Sequence, residues 1–305
     1  MRSLVPITLC LVACAAPIKQ TTAPQVQTSQ PVSSATTASC HEDAKWVEPA
    51  SPLHIHGNTW FVGTCGISSI LVTSPQGHVL IDAGVKEAAP LVEANIRKLG
   101  FRIEDLRYIV NSHEHYDHAG GIAQLQRDSG AVVVAREPAA RAFERGRGDR
   151  TDPQFLIIEG FAPIANVRRI GDGETLMLGT IQLTARATPG HTPGSTTWTW
   201  DSCEQQQCVH VVYADSLTAI SDDAYRYSDE AQHPGVIASF RRSIATIADL
   251  PCDILLTPHP DASNMWSRLG TDTKAPLIDG GLCRRYAANA SAKLDARLAK
   301  ESAGH

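Results

Sequence analysis

The sequence predicts an α/β (α+β) fold of two similar halves, packed sheet against sheet with helices outside. Three observations lead there. Short β-rich runs bounded by Gly and Pro are followed by helical runs, and this order occurs twice along the chain. The chain of 305 residues, 43% of them apolar, suffices for one large domain or two moderate ones with an ample core. The stretches richest in metal-ligand side chains all fall where a predicted strand ends. No sequence-level repeat relates the two halves.

The first residues read as a targeting segment rather than as fold. Arg2 supplies a positive start and Leu4 to Ala13 a short apolar stretch. Leu11-Val12-Ala13-Cys14 resembles the bacterial lipobox, whose cysteine is lipidated and becomes the mature N-terminus. Ordinary cleavage near Ala16 is the alternative. Residues 1–14 are thus expected to be a signal peptide with a lipobox-like end. Residues 15–39, rich in Thr, Ser, Gln, Ala and Pro with Lys19 as their one charge, are expected to be a flexible tether. Residues 40–305 hold the folded domain. Past the N-terminus no apolar run reaches the roughly eighteen residues of a transmembrane helix. The net charge of -5, with acids and bases interspersed, argues against nucleic acid as a partner.

Cysteine use agrees with export. Beyond Cys10 and Cys14, six remain: Cys40, Cys65, Cys203, Cys208, Cys252 and Cys283. An even set in an exported protein suggests disulfides, with many pairings open and buried free thiols as the alternative. Cys203 and Cys208 flank a polar turn, Glu204 to Gln207, between two apolar runs, where a hairpin-tip bridge is natural. No CxxC pair favours a cysteine zinc cluster.

From Leu53 onward, strands are predicted at Thr59 to Gly63, Ser68 to Thr73 and His78 to Ile81. Lys86 to Leu99 has helical apolar spacing and stops at Gly100. Leu106 to Val110 is a strand, His118 to Asp128 a helix packed behind it, Val132 to Ala135 a strand and Pro138 to Glu144 a helix. Arg145 to Ala165 lacks periodicity and reads as a long loop, a feature often tied to function. In the second half, Thr175 to Leu178, Ile181 to Ala187, Thr196 to Trp200, Val209 to Tyr213 and Ile254 to Thr257 read as strands. Gly235 to Leu250 and Leu282 to Lys300 read as helices.

After the Leu106 to Val110 strand comes His113-Glu114-His115-Tyr116-Asp117-His118, which places four possible metal ligands within six residues. Residues two apart at a strand end project to one side, so His113 and His115 can grip one ion. The chain then turns, and Asp117 and His118 can face a second. Imidazole and carboxylate donors suit zinc, and three protein ligands leave a position open for water. A polar loop with surface histidines is the ordinary alternative, and this spacing argues against it. Two further histidines sit in tight turns after strands. They are His191 in Thr188-Pro189-Gly190-His191-Thr192-Pro193-Gly194 and His259 in Thr257-Pro258-His259-Pro260. Either alone would be read as structural; with the first cluster they complete two three-ligand sets. Asp82, in Leu80-Ile81-Asp82-Ala83-Gly84, is better placed to orient a ligand than to bind metal.

HxHxDH, a later GHTPGS turn, a PHP histidine and an early strand ending in aspartate resemble the metallo-β-lactamase superfamily, from about residue 53 to 300. Gly190 to Thr196, Tyr213-Ala214-Asp215-Ser216-Leu217 and Leu250 to Pro260 resemble its subclass B3. The resemblance implies a four-layer αββα sandwich and a bridge between Cys252 and Cys283. Cys40 and Cys65 then remain, and export suggests that they pair. It implies two zinc ions, one held by His113, His115 and His191 and the other by Asp117, His118 and His259. It further implies attack on the β-lactam amide by a zinc-activated hydroxide, oriented by Asp117. Ser216 and Thr218 are the implied contacts of the drug's carboxylate, and Gln154, Phe155 and Leu156 are candidates to flank the pocket. Glu114 departs from the small or neutral residue expected between the histidines and is expected to act only through its charge.

The partners so implied are a small-molecule β-lactam and, through Cys14, a membrane facing the periplasm, for a monomer without nucleic acid. Two other classes stay open. One is a lactone or thioester hydrolase of the same superfamily, whose bridging aspartate would fall near Asp215. The other is a non-catalytic zinc-binding envelope protein.

Overall fold

Period-two alternation decides where each strand's side chains go, and here it splits them between two different cores. In the computed structural model, which describes residues 40–41, 43–270 and 273–303, seven strands form the first sheet. They are β1 (Leu53–His56), β2 (Thr59–Phe61), β3 (Ile70–Ser74), β4 (Gly77–Ile81), β5 (Leu106–Val110), β6 (Val132–Ala135) and β7 (Arg168–Arg169). The second sheet has five, β8 (Thr175–Leu178), β9 (Ile181–Ala187), β10 (Thr196–Glu204), β11 (Gln207–Tyr213) and β12 (Ile254–Leu256). Ile70, Val72, Val79, Ile81, Val110 and Val134 of the first sheet pack against Leu183, Trp198, Tyr213 and Leu256 of the second. Their strand neighbours Leu71, Leu80, Ile109 and Val133 face the other way, onto helices α1 (Ala89–Lys98), α3 (Ile122–Ser129) and α4 (Glu137–Arg145). Val212 and Leu255 likewise face α5 (Val236–Asp249) and α6 (Leu282–Ser302). The result is the four-layer αββα sandwich.

Strand direction sets up the functional end. β1 to β4 pair antiparallel, whereas β4, β5, β6 and β7 run parallel, with helical crossovers between them. In the second sheet, β8 to β11 are antiparallel and only β12 runs parallel to β11. Ile81 lies opposite Val110 and Tyr213 opposite Leu256. Asp82 and the His113 loop therefore leave the first sheet together, and Asp215 and His259 leave the second. Backbone bonds from Thr196 N–H to Ser112 O (2.7 Å) and Ser68 N–H to Pro258 O (2.8 Å) bring the two ends together.

Several expectations are corrected. The helix expected over 118–128 is broken into α2 (Tyr116–Ala119) and α3. The cause is tertiary: Gly121 N–H bonds Gly84 O at 3.0 Å, and a Cβ at 121 would collide with Ala83 O. The helix expected from Lys86 begins with a 3-10 turn, Lys86–Ala88, before α1. β1 and β7 were not anticipated, and the β10–β11 hairpin runs further than the expected strands, to a turn with Gln205 and Gln206 in left-handed backbone (φ 48° and 75°). Residues 1–39, with the expected signal peptide, Cys14 and tether, lie outside the described residues.

Three disulfides join Cys40–Cys65, Cys203–Cys208 and Cys252–Cys283, with Cα–Cα separations of 5.2, 4.0 and 6.1 Å. Cys203 lies directly opposite Cys208 in the hairpin register. Cys252–Cys283 ties the approach to β12 to the first turn of α6. The double substitution Cys252→Ser with Cys283→Ser should lower the unfolding free energy by ~2–4 kcal/mol in denaturant titration. An unchanged midpoint, or free thiols at both positions in non-reducing peptide maps, would contradict that bridge.

Candidate metal centre

The HxHxDH segment is held from beneath before any ligand is placed. Ser112 donates to Asp82 twice, from its N–H to Oδ1 and from its hydroxyl to Oδ2, both at 2.7 Å. Tyr213 from the other sheet donates its hydroxyl to Asp82 Oδ2 at 2.7 Å. Asn111 O accepts the indole N–H of the buried Trp198 at 2.8 Å. His113 and His115 follow beyond the end of β5, so their shared direction comes from this braced loop and not from strand pleating. Asp117 and His118 lie in the short helix α2, and His118 O accepts the N–H of Ala83 at 3.0 Å.

Five histidines and an aspartate converge here. Donor atoms of His113, His115 and His191 lie within 4.8 Å of one another, as do those of His113, Asp117 and His118. His118 Nε2, His259 Nε2 and Asp117 Oδ2 lie 3.1, 3.2 and 3.3 Å apart pairwise. Zinc–nitrogen bonds of ~2.0–2.1 Å in a tetrahedron put neighbouring ligand atoms ~3.3 Å apart, so this triplet is spaced for one small ion.

Each imidazole of the first triplet turns one nitrogen outward to an oxygen. His113 Nδ1 meets Asp215 Oδ1 at 2.8 Å, His115 Nε2 meets Asp152 at 3.0 and 3.2 Å, and His191 Nδ1 meets the carbonyl and hydroxyl oxygens of Thr218, both at 2.9 Å. That arrangement fixes ring orientation and frees the inner nitrogen as a ligand. His113 Nε2 and Asp117 Oδ1 are buried with no hydrogen-bond partner among the described residues. Buried polar atoms are normally satisfied, so these two mark where a cation belongs. The residues present fit a metal: nitrogen donors with one carboxylate, as zinc prefers.

The electrostatics of His113 and His191 agree with ligand duty, whereas at His115 burial is outweighed by Asp152 and other nearby carboxylates, which raise its pKa. Burial, then neighbouring His118 and His191, hold His113 well below the usual imidazole range. Burial and His115 push His191 down to about 3. Both rings are therefore neutral, as ligands must be. Burial also opposes a charge on His118, but Asp117 and Asp82 outweigh it and push it up to about 10. A metal taken up there must displace that proton.

The other expected residues fall as follows. Asp82 stands behind His118, with Oδ2 at 3.5 Å from Nδ1. Asp215 is fully buried behind His113, and Ser216 next to it is buried too. Thr218, expected to face substrate, sets both its oxygens against His191. Gln154 is buried, with Nε2 3.5 Å from His191 Nε2; Phe155 lies under the Arg147 guanidinium at 4.3 Å, and Leu156 is exposed. Glu114 does more than carry charge, since it is buried and bonded to Thr192 and Gly194. Asp152 was missed. It lies in the long loop, where no strand end flags it, and its only local signal is an Asx turn, Gln154 N–H to Oδ1 at 2.8 Å.

An αββα sandwich with clustered imidazoles at the ends of facing sheets defines a metal-dependent hydrolase scaffold. Residues 62–203 match the Metallo-beta-lactamase superfamily. MEM-A1, a subclass B3 metallo-beta-lactamase from a soil metagenome library, is 44% identical at TM-score 0.82, covering 86% of this chain and 100% of that one. The metallo-beta-lactamase MIM-1 from Novosphingobium pentaromativorans is 49% identical at TM-score 0.84, covering 88% and 99%. A hydroxyacylglutathione hydrolase of Nitrobacter hamburgensis is 30% identical over 133 residues, 43% of this chain. The chain spans about half the length of the curated relatives it matches, 42% and 54% for the first two. The chain belongs to the metallo-beta-lactamase superfamily of hydrolases, and it is similar to the subclass B3 enzymes over most of its length.

Asp152→Ala should weaken metal binding about ten- to a hundredfold, the usual cost of losing a ligand's hydrogen-bond partner. Chelator competition measures it. Unchanged affinity would mean that Asp152 does not hold His115.

Proposed function

We propose that the chain is a two-zinc hydrolase that opens the β-lactam amide of penicillins, cephalosporins and carbapenems, and so confers antibiotic resistance. The observation that carries this reading is the convergence of two three-residue donor sets at the sandwich end, in a chain similar to subclass B3 enzymes over most of its length. His113, His115 and His191 would hold one ion, and Asp117, His118 and His259 the other. Bound zinc would supply Lewis acidity for the lactam carbonyl and bring water's pKa toward ~7. Asp117, with one oxygen facing His118 and His259 and the other unpaired, orients the attacking water. Asp152, Asp215 and Thr218 keep the three outer imidazoles in place. Ser216 offers its hydroxyl to the substrate carboxylate. Export places the enzyme in the periplasm, tethered through Cys14 with residues 15–39 as leash. Cys14→Ser should then move the protein from the detergent phase to the aqueous phase, and an aqueous wild type would mean plain secretion.

A second reading, a lactone or thioester hydrolase, is favoured by the likeness to hydroxyacylglutathione hydrolase. Against it stands Asp215, whose Oδ1 is engaged by the outward nitrogen of His113.

Zinc-loaded protein should hydrolyse a chromogenic cephalosporin and a carbapenem, lose both activities to chelator, and contain two zinc ions per chain by elemental analysis. One ion or fewer at saturating zinc contradicts the two-ion reading. Lactone or thioester turnover without β-lactam turnover, together with zinc loss in Asp215→Asn, would establish the second reading instead.

A further inference from the structure

Glu114 is an expensive residue for its place. It is 3% exposed, between two metal-ligand histidines, and its oxygens are met by neutral donors. Burial accordingly raises its pKa, with Asp152 adding to the effect. A buried carboxylate met only by neutral donors costs stability, and a geometric role would account for its being kept.

Its bonds indicate the need. Oε2 accepts the Thr192 hydroxyl at 2.8 Å and Oε1 accepts the Gly194 N–H at 3.0 Å. Thr192 follows His191 directly, so both bonds land on the turn that carries this ligand. The turn is built to receive them. A Cβ at 194 would collide with Glu114 Oε2 and come within 2.7 Å of Ala139 Cβ, so only glycine lets the backbone approach. Ser195 completes the brace: its Oγ accepts the Thr192 N–H at 3.1 Å and its carbonyl accepts Arg136 Nη1 at 2.8 Å.

We infer that Glu114 is a positioning residue that ties the His191 turn to the loop carrying His113 and His115, and thereby sets the spacing of the first donor triplet. His191 comes from the second sheet and the other two ligands from the first, and the Glu114 bonds are the ties that run from between His113 and His115 straight to the His191 turn, beside the Thr196–Ser112, Trp198–Asn111 and Arg136–Ser195 bonds around it. This inference rests on the metal reading of the site.

The test is zinc affinity of the first triplet, measured by competition with a chromophoric chelator in full-length chain whose second triplet is disabled by His259→Ala. Visible absorption of bound cobalt(II) reports ligand geometry alongside. Added to that parent, Glu114→Ala should weaken binding about ten- to a hundredfold and alter the cobalt bands. Glu114→Gln should stay near the parent, because its amide can accept from Gly194 and donate to the Thr192 hydroxyl. Thr192→Val, which removes the hydroxyl's bonds to Glu114 and to Ser195 Oγ but spares the carboxylate and its bond to Gly194, should fall between the two, and it carries the test if Glu114→Ala does not fold. A Glu114→Ala or Thr192→Val protein that binds like the parent overturns the inference. So does Glu114→Gln as weak as Glu114→Ala, which would leave charge alone as the role of Glu114. A parent that takes up no zinc overturns the metal reading and this inference with it.

Discussion

Asp82 is fully buried in left-handed backbone, φ 61°, and receives hydrogen bonds from Ser112 N–H, Ser112 hydroxyl and Tyr213 hydroxyl. Left-handed backbone at a non-glycine residue costs ~1–3 kcal/mol, whereas each hydrogen bond to a charged group contributes ~1.5–3 kcal/mol. The bonds therefore outweigh the strain. They also reach across the sandwich, because Ser112 follows β5 of the first sheet and Tyr213 ends β11 of the second. Together with the Thr196–Ser112 and Ser68–Pro258 backbone bonds, this carboxylate holds the two sheets together at the site.

Above Asp82 the same logic runs outward. Asp82, Glu114, Asp117, Asp152 and Asp215 are all buried within a few residues of one histidine cluster. Such a density of carboxylates in a dry interior is destabilising unless each is hydrogen-bonded or meets a cation. Four have identified work: Asp82, Asp152 and Asp215 back histidines, and Glu114 backs a turn. Asp117 Oδ1 and Asp215 Oδ2 keep no hydrogen-bond partner, and Asp117 lies among the imidazoles, its other oxygen facing His118 and His259. A dication at that position resolves both the excess negative charge and the orphaned atoms, which is why the cluster reads as a metal centre rather than a polar core.

The sequence carried whatever is local. HxHxDH, the two histidine turns and Asp82 each declare themselves within a few residues and sit at strand ends, so the converging donors were legible even though His113 and His259 are far apart in the chain. The order of strands then helices, occurring twice, was likewise enough to foresee sheet packed on sheet with helices outside. What stayed hidden depends on partners distant in sequence. Asp152 matters because the long loop folds back on His115. Thr218 turns to His191 because the segment after β11 passes beside the GHTPG turn. Glu114 looked anomalous since its partners are 78 and 80 residues away. The break before α3 arises where Gly121 meets Ala83, a contact no helix propensity encodes.

Whether two donor triplets, drawn from both sheets, hold one two-ion metal centre is open to a direct crystallographic test. Diffraction from zinc-soaked crystals on either side of the zinc absorption edge addresses it directly. Two anomalous peaks are expected, one bounded by His113, His115 and His191 and the other by Asp117, His118 and His259. A single peak, or a zinc ligated by Asp215, would contradict it.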